Sequence, residues 1–177
     1  MLVSTMAALS AACSDTNDSA GDDGGQLGEA VTAEGCERDP LCMRIAFGTD
    51  ERTELSDHVR RLLLEGGHEV EEAGDGDPWP DVGRRVGELV ASQRCQRGVV
   101  CCWTGTGVSM AANKVPGVRA ALCTDAETAR GARRWNDANV LAFGLRLTSP
   151  TVAGEMIEAF LKTGPDAAEA ANIAKLT

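Results

Sequence analysis

From Met43 onward, short apolar runs alternate with segments whose apolar residues recur at helical spacing. Met43–Gly48 reads as a strand. Leu55, Val59, Leu62 and Leu63 then fall at i, i+4, i+7 and i+8, one face of a helix. The Gly66-Gly67-His68 segment stops that helix, and His68–Ala73 reads as a second strand. Val82, Val86, Leu89 and Val90 repeat the helical spacing ahead of a third strand at Gly98–Cys102. A helix is predicted from Gly107 to Asn113 and a fourth strand over Arg119–Leu122. Thr124 and Glu127 have the spacing of a capping box, for a helix reaching Arg134. Val140–Gly144 is the fifth strand, and Ser149-Pro150 opens a last helix burying Val152, Met156, Ala159 and Phe160. Such alternation predicts an α/β fold. Five parallel strands form a doubly wound sheet, with right-handed crossovers and helices on both faces.

The first 42 residues break the pattern. They have no apolar period, are rich in Asp, Gly, Ser and Ala, and hold eight acidic side chains against one Arg. They cannot offset their ordering entropy, so a disordered acidic extension over 1–42 precedes a domain at 43–177. "MLVSTMAALSAAC" has the outline of a lipoprotein leader ending at Cys13, but lacks a positive leading region. A dispensable stretch, or a start assigned too early with Met43 the true beginning, fits it better.

Most of the net charge of −10 therefore sits in the extension, and the domain is nearly balanced. Without a basic stripe, nucleic acid is not an expected partner. No apolar run is long enough to span a bilayer, so neither is a membrane. The seven cysteines are odd in number and include no CxxC pair, and adjacent Cys101 and Cys102 suit neither an ordinary disulfide nor a zinc knuckle. Free thiols in a reducing cytoplasm are the plain reading.

In doubly wound sheets ligands sit beyond the carboxyl ends of strands. This directs attention to "GTDE", "GDGDPWPD", "CCWTGTG" and "CTD", and to the "WND" segment before the fifth strand. The Thr104–Gly107 turn can aim several backbone N–H groups at one anion, a phosphate or a developing oxyanion. Many purely structural turns look the same. Cys102, beside that turn, suits a base or nucleophile, or else a buried apolar cysteine. Cys101 faces the other way and reads as core. Asp50 could fix substrate hydroxyls or cap a helix. His58 and His68 read as structural, and Asn136 and Asp137 could simply end a helix.

The stretches "MRIAFGTD", "CCWTGTGVSMAANKVPGVRAALC" and "RRWNDANVLAFG" resemble the ribose-5-phosphate isomerase type B and galactose-6-phosphate isomerase family over nearly all of residues 43–162. The resemblance implies a Rossmann-like three-layer sandwich and an aldose–ketose isomerase working through a cis-enediolate. It implies no metal or cofactor, a sugar or sugar-phosphate substrate, and a homodimer or dimer of dimers with sites shared across the interface. Carried over by position, Cys102 is the catalytic base, Thr104 assists ring opening and orientation, and Asp50 holds sugar hydroxyls. Gly105, Thr106, Gly107 and Ser109 belong to the enediolate-binding loop, and Asn136 reaches substrate across the interface.

The departures from the family pattern are specific. Glu51 stands where the family has His, and Trp79 where it has Tyr. Trp103 replaces a Gly, and Trp135 replaces the ring-opening His. The final segment "TGPDAAEAANIAKLT" has none of the arginines expected for phosphate. Each lost charge-assisted hydrogen bond forfeits about 1.5–3 kcal/mol of phosphate affinity, while indoles add stacking area. The expectation is an isomerase of altered specificity, its substrate non-phosphorylated or already open-chain, with Glu51, Trp79, Trp103 and Trp135 lining the crevice. A homologue that binds such a metabolite without turning it over is the competing reading.

Overall fold

The computed structural model describes Cys36 and residues 41–176. The expected disorder of the acidic extension and the leader-like start fall outside the described residues. The order is β1 (Arg44–Thr49), α1 (Glu54–Glu65), β2 (Glu69–Asp75), α2 (Trp79–Ala91), β3 (Arg97–Cys102), α3 (Thr106–Ala112), β4 (Ala120–Leu122), α4 (Ala126–Asn136), β5 (Val140–Gly144) and α5 (Pro150–Lys162). Short helical turns follow over Ala167–Leu176.

Local chemistry sets the boundaries. Thr53 caps α1 in a reciprocal box with Ser56. Pro78 and Pro80 flank the start of α2, where missing N–H groups cost nothing. The expected Thr124–Glu127 box is replaced by Asp125, whose carboxylate accepts from Thr128 N, while Thr124 only donates its hydroxyl to Asp125. An ionised cap at a helix N-terminus outbids a hydroxyl because it also meets the helix dipole. Ser149 caps α5, with Pro150 in its first turn.

All four strand pairings are parallel, in the order β2-β1-β3-β5-β4. The chain runs to one edge at β2, crosses β1 to β3, jumps to the far edge at β4, and returns to fill the gap with β5. Right-handed crossovers then put α1, α4 and α5 on one face and α2 and α3 on the other. Two cores result. Ile45, Phe47, Val99, Leu141 and Phe143 pack under Val59, Leu63, Met156 and Phe160. Ala46, Val100 and Ala142 pack under Val82, Val86 and Val108. Arg133 is fully buried in the first layer. It donates to Asp137 Oδ1 (2.7 Å), Ala138 O and Thr163 O, and lies over the Phe160 ring. A buried guanidinium is tolerable only with such partners.

The free-thiol reading needs one correction: Cys36 and Cys42 form a disulfide just ahead of β1. A six-residue separation carries no spacing signature, so only the fold brings these two sulfurs together. Cys95, Cys101, Cys102 and Cys123 are free and buried. Among the described residues no helix is long and apolar enough to cross a membrane. His68 is structural as expected, its Nδ1 accepting from Met43 N at 3.3 Å.

Candidate active site

The chain leaves β1 toward one face of the sheet and β3 toward the other. Their carboxyl ends therefore flank an open crevice, the topological switch point. Thr49 pairs with Cys101, and Asp50 N–H extends the ladder by donating to Cys101 O at 3.4 Å. Asp50 thus stands level with Cys102 one strand away, about 5 Å between backbones. Alternation turns Thr49 and Cys101 to one face and Asp50 and Cys102 to the other.

The adjacent thiols differ accordingly. Cys101 lies in the α1/α5 core with its Sγ 3.9 Å from Gly48 O, and burial pushes its pKa up to about 12. Cys102 faces the α2/α3 layer at the mouth of the crevice and keeps 4% of its surface exposed. Asp50 is half-buried, and its Oδ1 is fully enclosed with no hydrogen-bond partner. Burial, reinforced by the Glu51 carboxylate and opposed by its own backbone N–H, holds its pKa above the usual range. Thr53 caps α1, so capping does not account for Asp50. Exposed Glu51 is pinned through its backbone, its N–H donating to Thr49 Oγ1 and its carbonyl accepting from the same hydroxyl.

Beyond Cys102 the loop doubles back under tight restraint. Gly105 N–H donates to Cys102 O, and the Thr104 and Thr106 hydroxyls share a hydrogen bond at 2.7 Å. Gly105 has φ +76°, and a Cβ there would lie 2.6 Å from the Phe143 carbonyl carbon and 2.8 Å from Gly144 N. Only glycine fits both the backbone and the space. Thr106 and Gly107 open α3, where backbone N–H groups have no helical carbonyl to bond. Trp79 covers Gly107, since a Cβ there would meet the indole at 2.9 Å. Ser109 is buried one turn along, its N–H donating to Gly105 O. Trp103 is more than half exposed on the same loop.

The crevice thus gathers Asp50, Glu51, Trp79, Cys102, Trp103, Thr104, Gly105, Thr106, Gly107 and Ser109. It does not gather Trp135 and Asn136. These end α4, just before Val140, which pairs with Gly98 at the start of β3. Cys102 lies four residues further along β3, about 13 Å away. Within one chain the "WND" segment therefore belongs to the opposite end of the sheet, where Trp135 packs on Gly131. The strand-end rule misdirected the reading here, because helices run antiparallel to the strands they join.

That reading also passed over Arg146. The end of β3 and the loop after it are zipped to the segment after β5: Leu145 N–H donates to Cys102 O (2.9 Å) and Arg146 N–H to Trp103 O (3.0 Å). Arg146 is exposed and forms no ion pair among the described residues. Its signal was available, two residues past the fifth strand. Among the described residues no cluster of His, Cys, Asp or Glu is arranged to hold a metal ion.

The family model for Ribose/Galactose Isomerase matches residues 45–176. The chain belongs to the ribose/galactose isomerase family. It is 42% identical over 120 residues to DNA damage-repair/toleration protein DRT102 of Arabidopsis thaliana, covering 66% of this chain but only 37% of that longer protein. It is 34% identical over 125 residues to the D-erythrulose-4-phosphate isomerase of Pectobacterium atrosepticum, covering 67% of this chain and 82% of the relative. The solved ribose-5-phosphate isomerase B of Clostridium thermocellum superposes with a TM-score of 0.72 at 38% identity, covering 76% of this chain and 95% of that one. Like that isomerase, the chain forms a Rossmann-like sandwich, and it is an isomerase of this family. The sequence resemblance and the comparisons agree on fold and reaction class.

Proposed function

We propose that this isomerase interconverts an open-chain aldose and ketose through a cis-enediolate, and that its substrate class is a short-chain sugar phosphate. The observation that carries the reading is the pairing at the switch point. A thiol and a buried, partnerless carboxylate oxygen stand level on adjacent strands beside a restrained Gly/Thr loop.

The roles follow from chemistry. Cys102, as thiolate, removes a proton from the carbon beside the substrate carbonyl and returns it to the neighbouring carbon. The negative charge that develops on the carbonyl oxygen needs pre-oriented donors, which the Thr106 and Gly107 N–H groups supply. Asp50 Oδ1 accepts a substrate hydroxyl. Thr104, linked to Thr106, orients the chain of carbons, and Ser109 supports the loop from within α3. Trp79 and Trp103 contribute apolar walls, and Glu51 borders the opening.

Arg146 changes the expectation that phosphate recognition is lost. An unpaired guanidinium on a residue whose backbone is fixed to the Cys102 loop suits a phosphate as a bidentate partner. Trp135 where the family has the ring-opening His favours a substrate that needs no opening. A four-carbon sugar carrying phosphate on its terminal oxygen cannot close a five-membered ring, and the likeness to a D-erythrulose-4-phosphate isomerase points the same way. Since Asn136 cannot reach its own crevice, we propose a homodimer in which Trp135 and Asn136 complete the partner's site.

The test is turnover by the purified chain of D-erythrulose 4-phosphate and ribose 5-phosphate, with exchange of solvent deuterium at the carbon beside the carbonyl. The four-carbon substrate is expected to turn over faster. Equal or better turnover of ribose 5-phosphate refutes the open-chain assignment. Binding without exchange, unchanged in a Cys102→Ala variant, supports a non-catalytic binder instead.

A further inference from the structure

The amino-terminal end of the sheet, opposite the crevice, holds a cavity of about 400 Å³ lined by Gln93, Gln96, Arg97, Arg119, Asp137 and Asn139, among others. Two guanidinium groups, Arg97 and Arg119, line it, and Arg119 shares the Asp137 carboxylate with a third, Arg133, buried behind the wall. Arg119 Nη2 takes Asp137 Oδ2 at 2.8 Å, and buried Arg133 takes Oδ1 at 2.7 Å. Both oxygens are thereby used. Arg97 donates only to the Gln96 carbonyl at 2.7 Å and has no carboxylate among the described residues. Glu69 and Glu71 of β2 are committed elsewhere, to Arg44 and Arg94.

Helix ends compensate part of this charge. The carboxyl ends of α2 and α4 border the cavity through Gln93 and Asp137, which follow the two helices with φ of +61° and +45°. Each end contributes about half a negative charge. Three cations, one carboxylate and two helix ends still leave about one positive charge in a half-enclosed space. Burial, then repulsion from Arg133 and Arg119, lowers the pKa of Arg97, and the Asp137 carboxylate offsets only part of this. A half-buried guanidinium with no direct ion pair is costly to keep.

We infer that this cavity is a binding site for a small phosphate-class oxyanion, seated between Arg97 and Arg119. Planar guanidinium forks favour tetrahedral oxyanions over halide through paired N–H donors. Asn139 is not available as a ligand, because its side chain already bonds Arg119 N and Gly117 O. Its part is to hold Arg119 in place. Gln93 and Gln96 are the further polar groups lining the space, and Gln96 Oε1 already accepts from Arg44 N. Because Asp137 directly follows Asn136, occupancy would draw Arg119 partly away from Asp137 and bear on the segment assigned above to the partner's crevice. The anion site itself does not depend on that assignment.

The experiment is an amide NMR titration of the full chain with inorganic phosphate, ionic strength held constant with sodium chloride. It is done in an Arg146→Gln background, so the crevice cation does not report. Saturable shifts are expected at Arg97, Arg119 and Asp137–Asn139, abolished by Arg97→Gln. Arg97→Lys, which keeps the charge but loses the fork, is expected to weaken binding several-fold. Glycerol phosphate replaces inorganic phosphate in a second arm. Saturation by both assigns a phosphomonoester, and saturation by inorganic phosphate alone assigns the free ion. Shifts that fail to saturate, that persist in Arg97→Gln, or that keep their midpoint in Arg97→Lys overturn the inference.

Discussion

Asp50→Asn is the substitution that most directly separates a substrate-binding carboxylate from a structural one. Asp50 Oδ1 is enclosed without a partner, and burial raises the pKa of the group. Folding therefore favours the protonated acid over the ion. That contribution is complete below the ordinary aspartate value near about 3.9, and it is lost as pH rises through the higher folded value. At neutral pH the native protein carries an under-solvated charge. Leaving a buried acceptor unsatisfied costs about 1–3 kcal/mol, and a neutral amide of the same shape removes the charged part, about 1 kcal/mol. For a domain of this size that corresponds to about 3–6 °C in melting temperature. Activity should move the other way. Losing one charge-assisted hydrogen bond to a substrate hydroxyl costs about 1.5–3 kcal/mol, or roughly 10- to 150-fold in kcat/KM. The assay is thermal unfolding from acid to neutral pH alongside steady-state kinetics. The stability gain should be absent in acid and open above the folded pKa of Asp50. A variant that is less stable at neutral pH, or fully active, refutes the reasoning.

Three further substitutions probe the rest of the crevice. Cys102→Ser should lower turnover by about 10²–10⁴-fold with little change in fold, measured by solvent deuterium exchange into substrate; iodoacetamide, checked by mass spectrometry, should spare Cys95, Cys101 and Cys123, whose thiols burial holds near about 12. Gly105→Ala forces a side chain into left-handed backbone and against Phe143 and Gly144, so it should cost at least about 1–2 kcal/mol in denaturant unfolding and also lower turnover, because the loop beside Cys102 must shift. Arg146→Gln should raise KM for a phosphorylated substrate about 10- to 100-fold, while leaving a non-phosphorylated analogue unaffected.

Strand and helix positions were legible because most strands are buried on both faces and stand out as apolar runs, as Ile45–Phe47 and Val99–Cys102 do. The edge strand β2 reads less clearly. Glu69, Glu71 and Glu72 interrupt it, and it continues two residues past Ala73 to Asp75. Strand order was not legible. Nothing in the residues of β4 or β5 says which lies inside, and that order decides what surrounds Phe143 and Gly144. The Gly/Thr loop beside Cys102 was readable because glycine and threonine spacing constrain backbone directly. Arg146 was legible as a residue just past a strand end, but its attachment to the Cys102 loop was not, because that comes from the β5 segment zipping onto Trp103, far away in sequence. The Cys36–Cys42 pair was missed for a different reason: the two are only six residues apart, and that spacing has no signature of its own.

The exposed indoles and the buried thiol make better sense together than apart. Trp79 over Gly107 and Trp103 beside Cys102 leave apolar surface at the mouth of a crevice whose base is otherwise almost closed. A single chain gains nothing from exposing tryptophans there. A second copy presenting the end of its α4 would remove them from water, at about 25 cal/mol per Å² of apolar surface, while delivering Asn136 where its own fold cannot. Excluding water from the same space strengthens every interaction between Cys102, the loop amides and a developing oxyanion. On this view the substitutions toward Trp did more than displace one imidazole, at Trp135. They moved the burden of shaping the site from charged contacts with the sugar to apolar closure around it, leaving Asp50 and Arg146 to mark where its two ends go.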